Sequence, residues 1–165
     1  MAQTKLGEKT VNTIGDLPNV GSAAPEFILT GNDLKEISSV QFAGKNVVLN
    51  IFPSLDTSTC AASVREFNKR AASLEDTVVL CISKDLPFAM RRFCGAEGID
   101  KVTTLSDFRN RGFAKSYGVE MLEGGMFGLL ARAVVIIGPD GNVKYSQIAP
   151  VVGEEPDYDS AIQAI

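Results

Sequence analysis

An apolar run that ends in proline and leads through a hydroxyl-rich turn to a cysteine most constrains how this chain can fold. Residues 47–52 predict a buried strand. Pro53 ends this strand, because proline cannot donate to a central ladder. The serine, aspartate and threonine residues that follow are candidate helix N-caps. The stretch therefore predicts a strand, a tight polar loop and a helix that begins near Cys60.

Apolar residues recur at helical spacing after this loop. The positions are Cys60, Val64, Phe67, Ala71 and Leu74, which share one inward face. Cys60 lies at the N-terminal tip of the face, beside unpaired backbone N–H groups and the positive end of the helix dipole. Both favour the thiolate, which is the nucleophilic form. A free cysteine is more often a small buried hydrophobe, so the tip position is what indicates chemistry here.

The chain contains no histidine, and this excludes several kinds of site. Ser-His-Asp catalysis, Cys-His catalysis and histidine metal centres all require that residue. The spacing of Cys60, Cys81 and Cys94 does not fit a Cys-x2-Cys zinc pattern. We therefore expect no metal and no cofactor, and activation of Cys60 by backbone, hydroxyl or arginine groups.

Length, charge and hydropathy point to an ordinary globular protein. A chain of 165 residues is most simply one domain, spanning 1–165. The net charge of −4 argues against a nucleic-acid partner. No apolar run reaches the length of roughly 20 residues that a membrane span needs, and the first residues lack the apolar core of a signal peptide. With an odd number of cysteines as well, we expect a cytoplasmic protein without a membrane partner.

Predicted strands alternate with helices and finish as a hairpin, which favours an α/β fold with a central mixed sheet flanked by helices. Asp85 is the predicted cap of the second helix, Gly95 and Gly98 its predicted end, and Gly118 the end of the third. The predicted strands are 27–30, 36–38, 47–52, 78–83, 102–105, 132–137 and 143–149, after a short hairpin at 4–13. The predicted helices are 60–74, 85–94, 107–117 and 157–165.

Three further features leave alternatives open. Cys81 lies inside an apolar strand and is interpreted as an inert buried thiol rather than a second redox partner, since apolar burial disfavours the thiolate. The glycine-rich loop 121–130 is either a core-covering turn or a lip for an alkyl substrate. Spacing cannot choose the cation that assists Cys60, although Arg132 stands at the mouth of an apolar strand, where it is otherwise an edge charge.

The pattern Pro53-x3-Thr57-x2-Cys60 resembles the peroxidatic motif of the peroxiredoxin family. Its surroundings resemble the bacterial thiol peroxidase branch of that family, an atypical two-cysteine type. The resemblance runs from about residue 21 to the last residue. The segments that carry it are NIFPS (50–54), CAASVR (60–65), VLCIS (79–83), RFCGAEG (92–98), ARAVV (131–135) and EPDY (155–158).

The resemblance implies a thioredoxin-like fold and a thiol-dependent peroxidase that acts on hydrogen peroxide and organic hydroperoxides. Cys60 would attack the peroxide, Thr57 would contact thiolate and peroxide, Arg132 would be the active-site arginine, and Pro53 would shield the thiolate. Cys94, near a predicted helix end, would then form an intramolecular disulfide with Cys60. Thioredoxin would be the reductant and the protein a homodimer.

One alternative function uses the same disulfide without turnover, as a peroxide-sensing redox switch or a binding module. A thioredoxin-type disulfide reductase is disfavoured, because the chain has no Cys-x-x-Cys motif.

Overall fold

A seven-stranded mixed sheet forms the centre of the computed structural model, which describes residues 1–165. Its strand order is β4-β3-β7-β6-β5-β8-β9, and β1 and β2 form a separate hairpin. The strands are β1 (Gln3–Leu6), β2 (Lys9–Asn12), β3 (Ile28–Thr30), β4 (Glu36–Ser38), β5 (Asn46–Ile51), β6 (Thr77–Ser83), β7 (Thr103–Ser106), β8 (Ala133–Ile137) and β9 (Val143–Ile148). The helices are α1 (Ser58–Ala71), α2 (Pro87–Glu97), α3 (Phe113–Ser116) and α4 (Tyr158–Gln163), with one 3₁₀ turn at Ser39–Phe42.

The sheet is parallel in its middle and antiparallel towards both edges. Strands β5, β6 and β7 run parallel, while β8 pairs with β5 in the antiparallel direction, as β3 does with β7. Parallel neighbours need a crossover, and α1 and α2 supply the two crossovers. The predicted mixed sheet with flanking helices and a short N-terminal hairpin is therefore confirmed.

Both faces of the sheet are covered, which is why β5 and β6 consist almost entirely of buried residues. On one face, Leu49 and Ile82 pack with Phe113 and Tyr117. On the other face, the core formed by α1, α2 and α4 includes Phe67, Met90 and Ala161, and Cys60 and Cys81 belong to it. The thiol at the tip of α1 is thus part of the core on this face of the sheet.

The N-terminal hairpin is attached to the segment that follows β9. Thr4 donates its hydroxyl to the carbonyl of Ala149 at 2.7 Å. Lys5 donates its N–H to Pro150 and accepts the N–H of Val152, both at 2.9 Å. The hairpin therefore holds residues 149–152 near the carboxyl end of β5.

Three details of the predicted helices are wrong. The third helix does not span 107–117 but is the single turn α3, because Asn110 (φ 55°) and Gly112 (φ 96°) adopt left-handed conformations that interrupt a helix. Gly95 lies inside α2, and only Gly98, at φ 65°, ends that helix. Asp85 does not cap α2: the N-cap residue is Leu86, which makes no side-chain capping bond.

No helix of the chain is both long and apolar enough to cross a membrane.

Candidate active site

Cys60 lies in the first turn of α1 and is completely buried. Thr57 is the N-cap residue of this helix, with extended backbone angles, and its hydroxyl oxygen accepts the N–H of Cys60 at 3.2 Å. A threonine hydroxyl in this position satisfies one of the N–H groups that a helix leaves unpaired. The tight loop between β5 and α1 thus gives the thiol a fixed place at the positive end of the helix dipole.

Arg132, which immediately precedes β8, contacts the sulfur of Cys60. Its Nη2 donates to Sγ at 3.2 Å, and its Nε donates to the carbonyl of Val152 at 2.8 Å. The side chain is only 1% exposed, and Nη1 has no hydrogen-bond partner. Arg132 takes part in none of the ion pairs of the chain.

A buried guanidinium without a carboxylate is costly unless another anion balances it. Of the two groups that accept hydrogen bonds from Arg132, only the Cys60 sulfur can carry a negative charge, because the other is a backbone carbonyl. The arrangement therefore places a buried positive charge against the Cys60 sulfur and leaves Nη1 of Arg132 free for a further acceptor.

A cavity of about 230 Å³ opens next to this pair. Pro53, Thr57 and Arg132 all line it, so the structure brings these three predicted site residues together. Cys60 is completely buried and does not line the cavity, but its sulfur contacts Arg132. The other lining residues come from the hairpin, the glycine-rich loop and the segment after β9: Leu6, Gly7, Thr59, Met126, Val151, Val152 and Gly153. A slightly larger cavity of about 260 Å³ lies at the opposite end of β5 and contains none of the predicted site residues.

Cys94, the fourth predicted partner, lies in α2 and is not bonded to Cys60: all three cysteines are free thiols. Its Sγ lies 3.7 Å from the hydroxyl of Thr104, which in turn donates to Asn32 at 2.9 Å. Partial burial raises the pKa of the Cys94 thiol above its ordinary value, against an opposing contact from Thr104. The structure is thus that of the reduced chain.

Cys81 is completely buried in β6, as its apolar surroundings predicted. Burial raises the pKa of Cys81 to about 12, although Asn50 donates to its sulfur at 3.6 Å. Asn50 also donates to Ser63 at 3.2 Å, and Ser63 donates to the Cys60 carbonyl at 2.8 Å. This buried polar chain was not predicted, although an asparagine within an otherwise apolar strand was its visible signal.

Asp85 is the second residue near the site that sequence reasoning did not find. Its carboxylate accepts hydrogen bonds from the side chain of Ser54, the N–H of Leu55 and the side chain of Ser83. Ser54 and Leu55 belong to the loop that precedes Cys60. No local sequence signal distinguishes this role from helix capping, because Ser54 and Leu55 lie about 30 residues earlier in the chain.

Comparisons with known proteins show the family to which the chain belongs. A family model described as Redoxin matches residues 19–162. The thiol peroxidases of Mycobacterium tuberculosis and Mycobacterium bovis are 56% identical over 165 residues, which is 100% of this chain and 99% of theirs. A solved peroxiredoxin-like protein from Aquifex aeolicus is 38% identical, with a TM-score of 0.91 and coverage of 100% of this chain and 98% of that one. A thiol peroxidase from Chromobacterium violaceum, 23% identical, shares the fold, with a TM-score of 0.90 over 98% of this chain and 93% of that one.

Proposed function

Because the chain belongs to the redoxin family, and within it to the thiol peroxidases, we propose that it reduces hydrogen peroxide and organic hydroperoxides with Cys60 as the attacking thiolate. The observation that carries the proposal is the contact of 3.2 Å between the buried Arg132 guanidinium and the Cys60 sulfur. A thiolate held at a helix tip by a buried cation, which itself lines a cavity, has the features of an activated nucleophile.

In the first step, the Cys60 thiolate attacks the terminal oxygen of the hydroperoxide. A sulfur–oxygen bond forms, the O–O bond breaks, and the products are the Cys60 sulfenic acid and an alkoxide, which takes a proton from solvent to become the alcohol. Arg132 Nη1, the N–H group without a partner, donates to the peroxide oxygens and stabilises the charge that develops on the departing one.

Thr57 and Pro53 align and protect the reacting atoms. The Thr57 hydroxyl donates its proton to the carbonyl of Ser54 at 3.2 Å and uses one lone pair for the Cys60 N–H. Its second lone pair remains to accept the O–H of the hydroperoxide. Pro53 is buried beside the cavity and has no N–H to bind water, so it keeps the sulfur dry.

The cavity wall supports organic hydroperoxides as substrates in addition to hydrogen peroxide. Leu6, Met126, Val151 and Val152 present apolar side chains around the Arg132 guanidinium. An alkyl group bound there buries apolar surface, at about 25 cal/mol per Å² removed from water. Met126 comes from the glycine-rich loop, and this supports the interpretation of that loop as a substrate lip.

Cys94 completes the cycle. Its thiol condenses with the Cys60 sulfenic acid, and one disulfide and one water molecule form. A dithiol protein, thioredoxin, then reduces the disulfide to two thiols and is itself oxidised to its disulfide. The position of Cys94 one turn before the end of α2 supports this role, since a terminal turn opens at low cost. From the same resemblance we propose a homodimer that works in the cytoplasm.

The test is peroxide-dependent NADPH consumption with thioredoxin and thioredoxin reductase. We expect turnover with hydrogen peroxide and with a bulky alkyl hydroperoxide, and none in the Cys60→Ser variant. Full activity of Cys60→Ser would contradict the proposal. A stoichiometric reaction with peroxide but no turnover with thioredoxin would leave Cys60 as the nucleophile and assign the reduction to another thiol.

A further inference from the structure

We propose that Asp85 is a positioning residue for the Cys60 reaction: its carboxylate holds the loop between β5 and α1 in the conformation from which the thiolate attacks peroxide. The inference rests on the proposed function, in which Cys60 is the nucleophile. It concerns a residue outside the cavity, which acts through the loop and does not touch the reacting atoms.

Asp85 uses both carboxylate oxygens to join two loops. Ser54 donates its hydroxyl to Oδ1 at 2.8 Å, and Leu55 donates its backbone N–H to Oδ2 at 2.8 Å. Ser83, at the end of β6, donates its hydroxyl to Oδ2 at 2.6 Å. The Leu55 N–H has no other acceptor. The carboxylate therefore pins the loop of Cys60 to the carboxyl end of the neighbouring strand.

The charge of Asp85 is balanced by these neutral donors and by no cation. It takes part in none of the ion pairs, and the adjacent Lys84 is paired with Glu120 at 2.7 Å instead. Hydrogen bonds to an ionised acceptor are about twice as strong as those between neutral groups. The carboxylate thus makes two charge-assisted bonds to the loop and one to Ser83 of β6.

A continuous series of hydrogen bonds leads from Asp85 to Cys60. The carbonyl of Ser54 accepts both the N–H of Thr57, at 3.1 Å, and its hydroxyl, at 3.2 Å. The Thr57 oxygen accepts the N–H of Cys60 at 3.2 Å. If Ser54 moves, the orientation of the Thr57 hydroxyl and the first turn of α1 move with it. Peroxide attack needs alignment, and a displacement of about 1 Å costs about a hundredfold in rate.

The backbone of Asp85 is itself held in place by two hydrogen bonds. Its N–H donates to the side chain of Ser83 at 3.2 Å, and its carbonyl accepts the hydroxyl of Ser106 from β7. Both contacts come from the ends of strands in the parallel part of the sheet. Asp85 therefore connects the loop that follows β5 chiefly to β6, because Ser83 binds both its backbone and its carboxylate.

The decisive variant is Asp85→Asn, which keeps the shape of the side chain. When the amide oxygen accepts from Leu55, the NH₂ group meets the Ser54 hydroxyl, which must turn from donor to acceptor, and the charge that strengthens the bonds to the loop is lost. We expect peroxide attack on Cys60, measured by rapid quenching and mass spectrometry, to slow at least about tenfold. Alkylation of Cys60 by iodoacetamide needs no peroxide alignment and should not slow. Loss of both reactions together, or of neither, would overturn the proposal.

Two further variants separate positioning from general damage. Ser54→Ala removes one loop donor and should slow peroxide attack in the same direction, while the double variant with Asp85→Asn should be no slower than Asp85→Asn alone. Additive losses would contradict action through Ser54.

Ser106→Ala loosens the Asp85 backbone but spares the carboxylate, and its rate of peroxide attack should stay within about twofold of the parent. An equal loss there would assign the effect to loosening of the turn.

The same measurements show which proposal has failed. If the parent chain consumes no peroxide at Cys60, the proposed function is wrong. If the parent chain reacts and Asp85→Asn reacts equally fast, only the positioning role is wrong. Should Asp85→Asn fail to fold, as seen by circular dichroism, Ser54→Ala decides alone: an unchanged rate of peroxide attack would then overturn the role.

Discussion

Arg132 donates a hydrogen bond to the sulfur of Cys60 at 3.2 Å, although 72 residues separate them in the sequence. The register of the sheet brings them together. Ile51 at the end of β5 pairs with Ala133 at the start of β8, so Arg132 stands at the sheet edge from which the chain turns into α1. The antiparallel pairing of β5 with β8 therefore assembles the site.

The first prediction concerns this contact. Arg132→Met keeps the apolar stem but removes the cation, so we expect peroxide attack on Cys60 to slow at least about tenfold, since one charge-assisted contact contributes about 1.5–3 kcal/mol. Rapid-quench mass spectrometry suits the measurement, because the chain has no tryptophan to report the step by fluorescence. Arg65→Met, which breaks only an exposed pair with Glu97, is the control. An unchanged rate in Arg132→Met would show that this guanidinium does not assist the reaction.

The second prediction assigns the three thiols. Cys60→Ser should abolish turnover, because no other thiol contacts a cation. Cys94→Ser should consume about one equivalent of peroxide and then stall with thioredoxin. Cys81→Ser should keep its turnover, since that thiol is buried and stays protonated. The assay is coupled NADPH consumption, and normal turnover in Cys94→Ser would remove this residue from the cycle.

The third prediction separates the two roles of Thr57. Thr57→Val loses the helix cap and the hydroxyl, so both the free energy of unfolding, by about 1 kcal/mol, and the rate of peroxide attack should fall. Thr57→Ser keeps the hydroxyl and should lose little of either. Asp157→Ala is the matched control, because Asp157 caps α4 in the same way. It should lower the unfolding free energy in urea and leave the rate of attack unchanged.

The fourth prediction is that oxidation opens the chain locally. The Cys60 sulfur is bound to Arg132, and the Cys94 sulfur lies against Thr104, so each thiol has a separate partner in the reduced chain. A disulfide requires Cα atoms roughly 5.5 Å apart. We expect the first turn of α1 and the last turns of α2 to lose amide protection in the oxidised protein, while β5 and β6 keep theirs. Hydrogen exchange with equal protection in both states would show that no unwinding is needed.

The fifth prediction concerns pH. Burial raises the pKa of Asp107 to about 6, against the opposing charge of Lys84 and a weaker opposing contact from the Ala114 backbone. The folded chain therefore binds this proton more tightly than the unfolded chain, and stability is lost as the pH rises from about 4 to about 6. Asp107→Asn, which stays neutral, should raise the free energy of unfolding at neutral pH, and the gain should vanish near pH ~4.

Asp140→Asn should change the free energy of unfolding in the opposite direction. Asp140 is exposed, and a backbone N–H of Asn142 lowers the pKa of its carboxyl group. Its ionised form therefore stabilises the folded chain, and Asp140→Asn should lower the unfolding free energy at neutral pH. Urea titrations at several pH values measure both effects. A gain for Asp107→Asn that does not change with pH would show that the carboxylate is not the cause.

The sheet and the helix tip were predictable because their causes are local. Residues 47–52 and 78–83 are continuous apolar runs, and such runs indicate strands that are covered on both faces. Thr57 lies three residues before Cys60, the spacing at which a hydroxyl caps a helix. The contact of Arg132 was not predictable from spacing, because strand pairing over long distances decides it. The family resemblance selected this residue, and its catalytic role stays a prediction.

The errors of the sequence analysis also have physical causes. Asp85 is a residue type that often caps helices, but it lies one residue before the N-cap of α2, and its carboxylate binds Ser54 and Leu55, which lie about 30 residues earlier in the chain. Local capping rules consider only neighbours within the first helical turn, so they do not predict such distant partners. The helix predicted over 107–117 fails for a different reason: Asn110 tolerates the left-handed region, where its polar side chain is less strained than most. That turn leaves Asp107 buried before α3.

The attachment of the hairpin to the segment after β9 has a consequence for biosynthesis. Thr4 and Ala149, 145 residues apart, must meet before the wall of the cavity is complete. A ribosome that adds about 5–20 residues per second needs roughly 5–18 s to go from Cys60 to Val152. During that interval the nascent chain carries its reactive cysteine without the arginine and the carbonyl that will later enclose it. Newly made chains should therefore be oxidised or alkylated at Cys60 less selectively than finished ones.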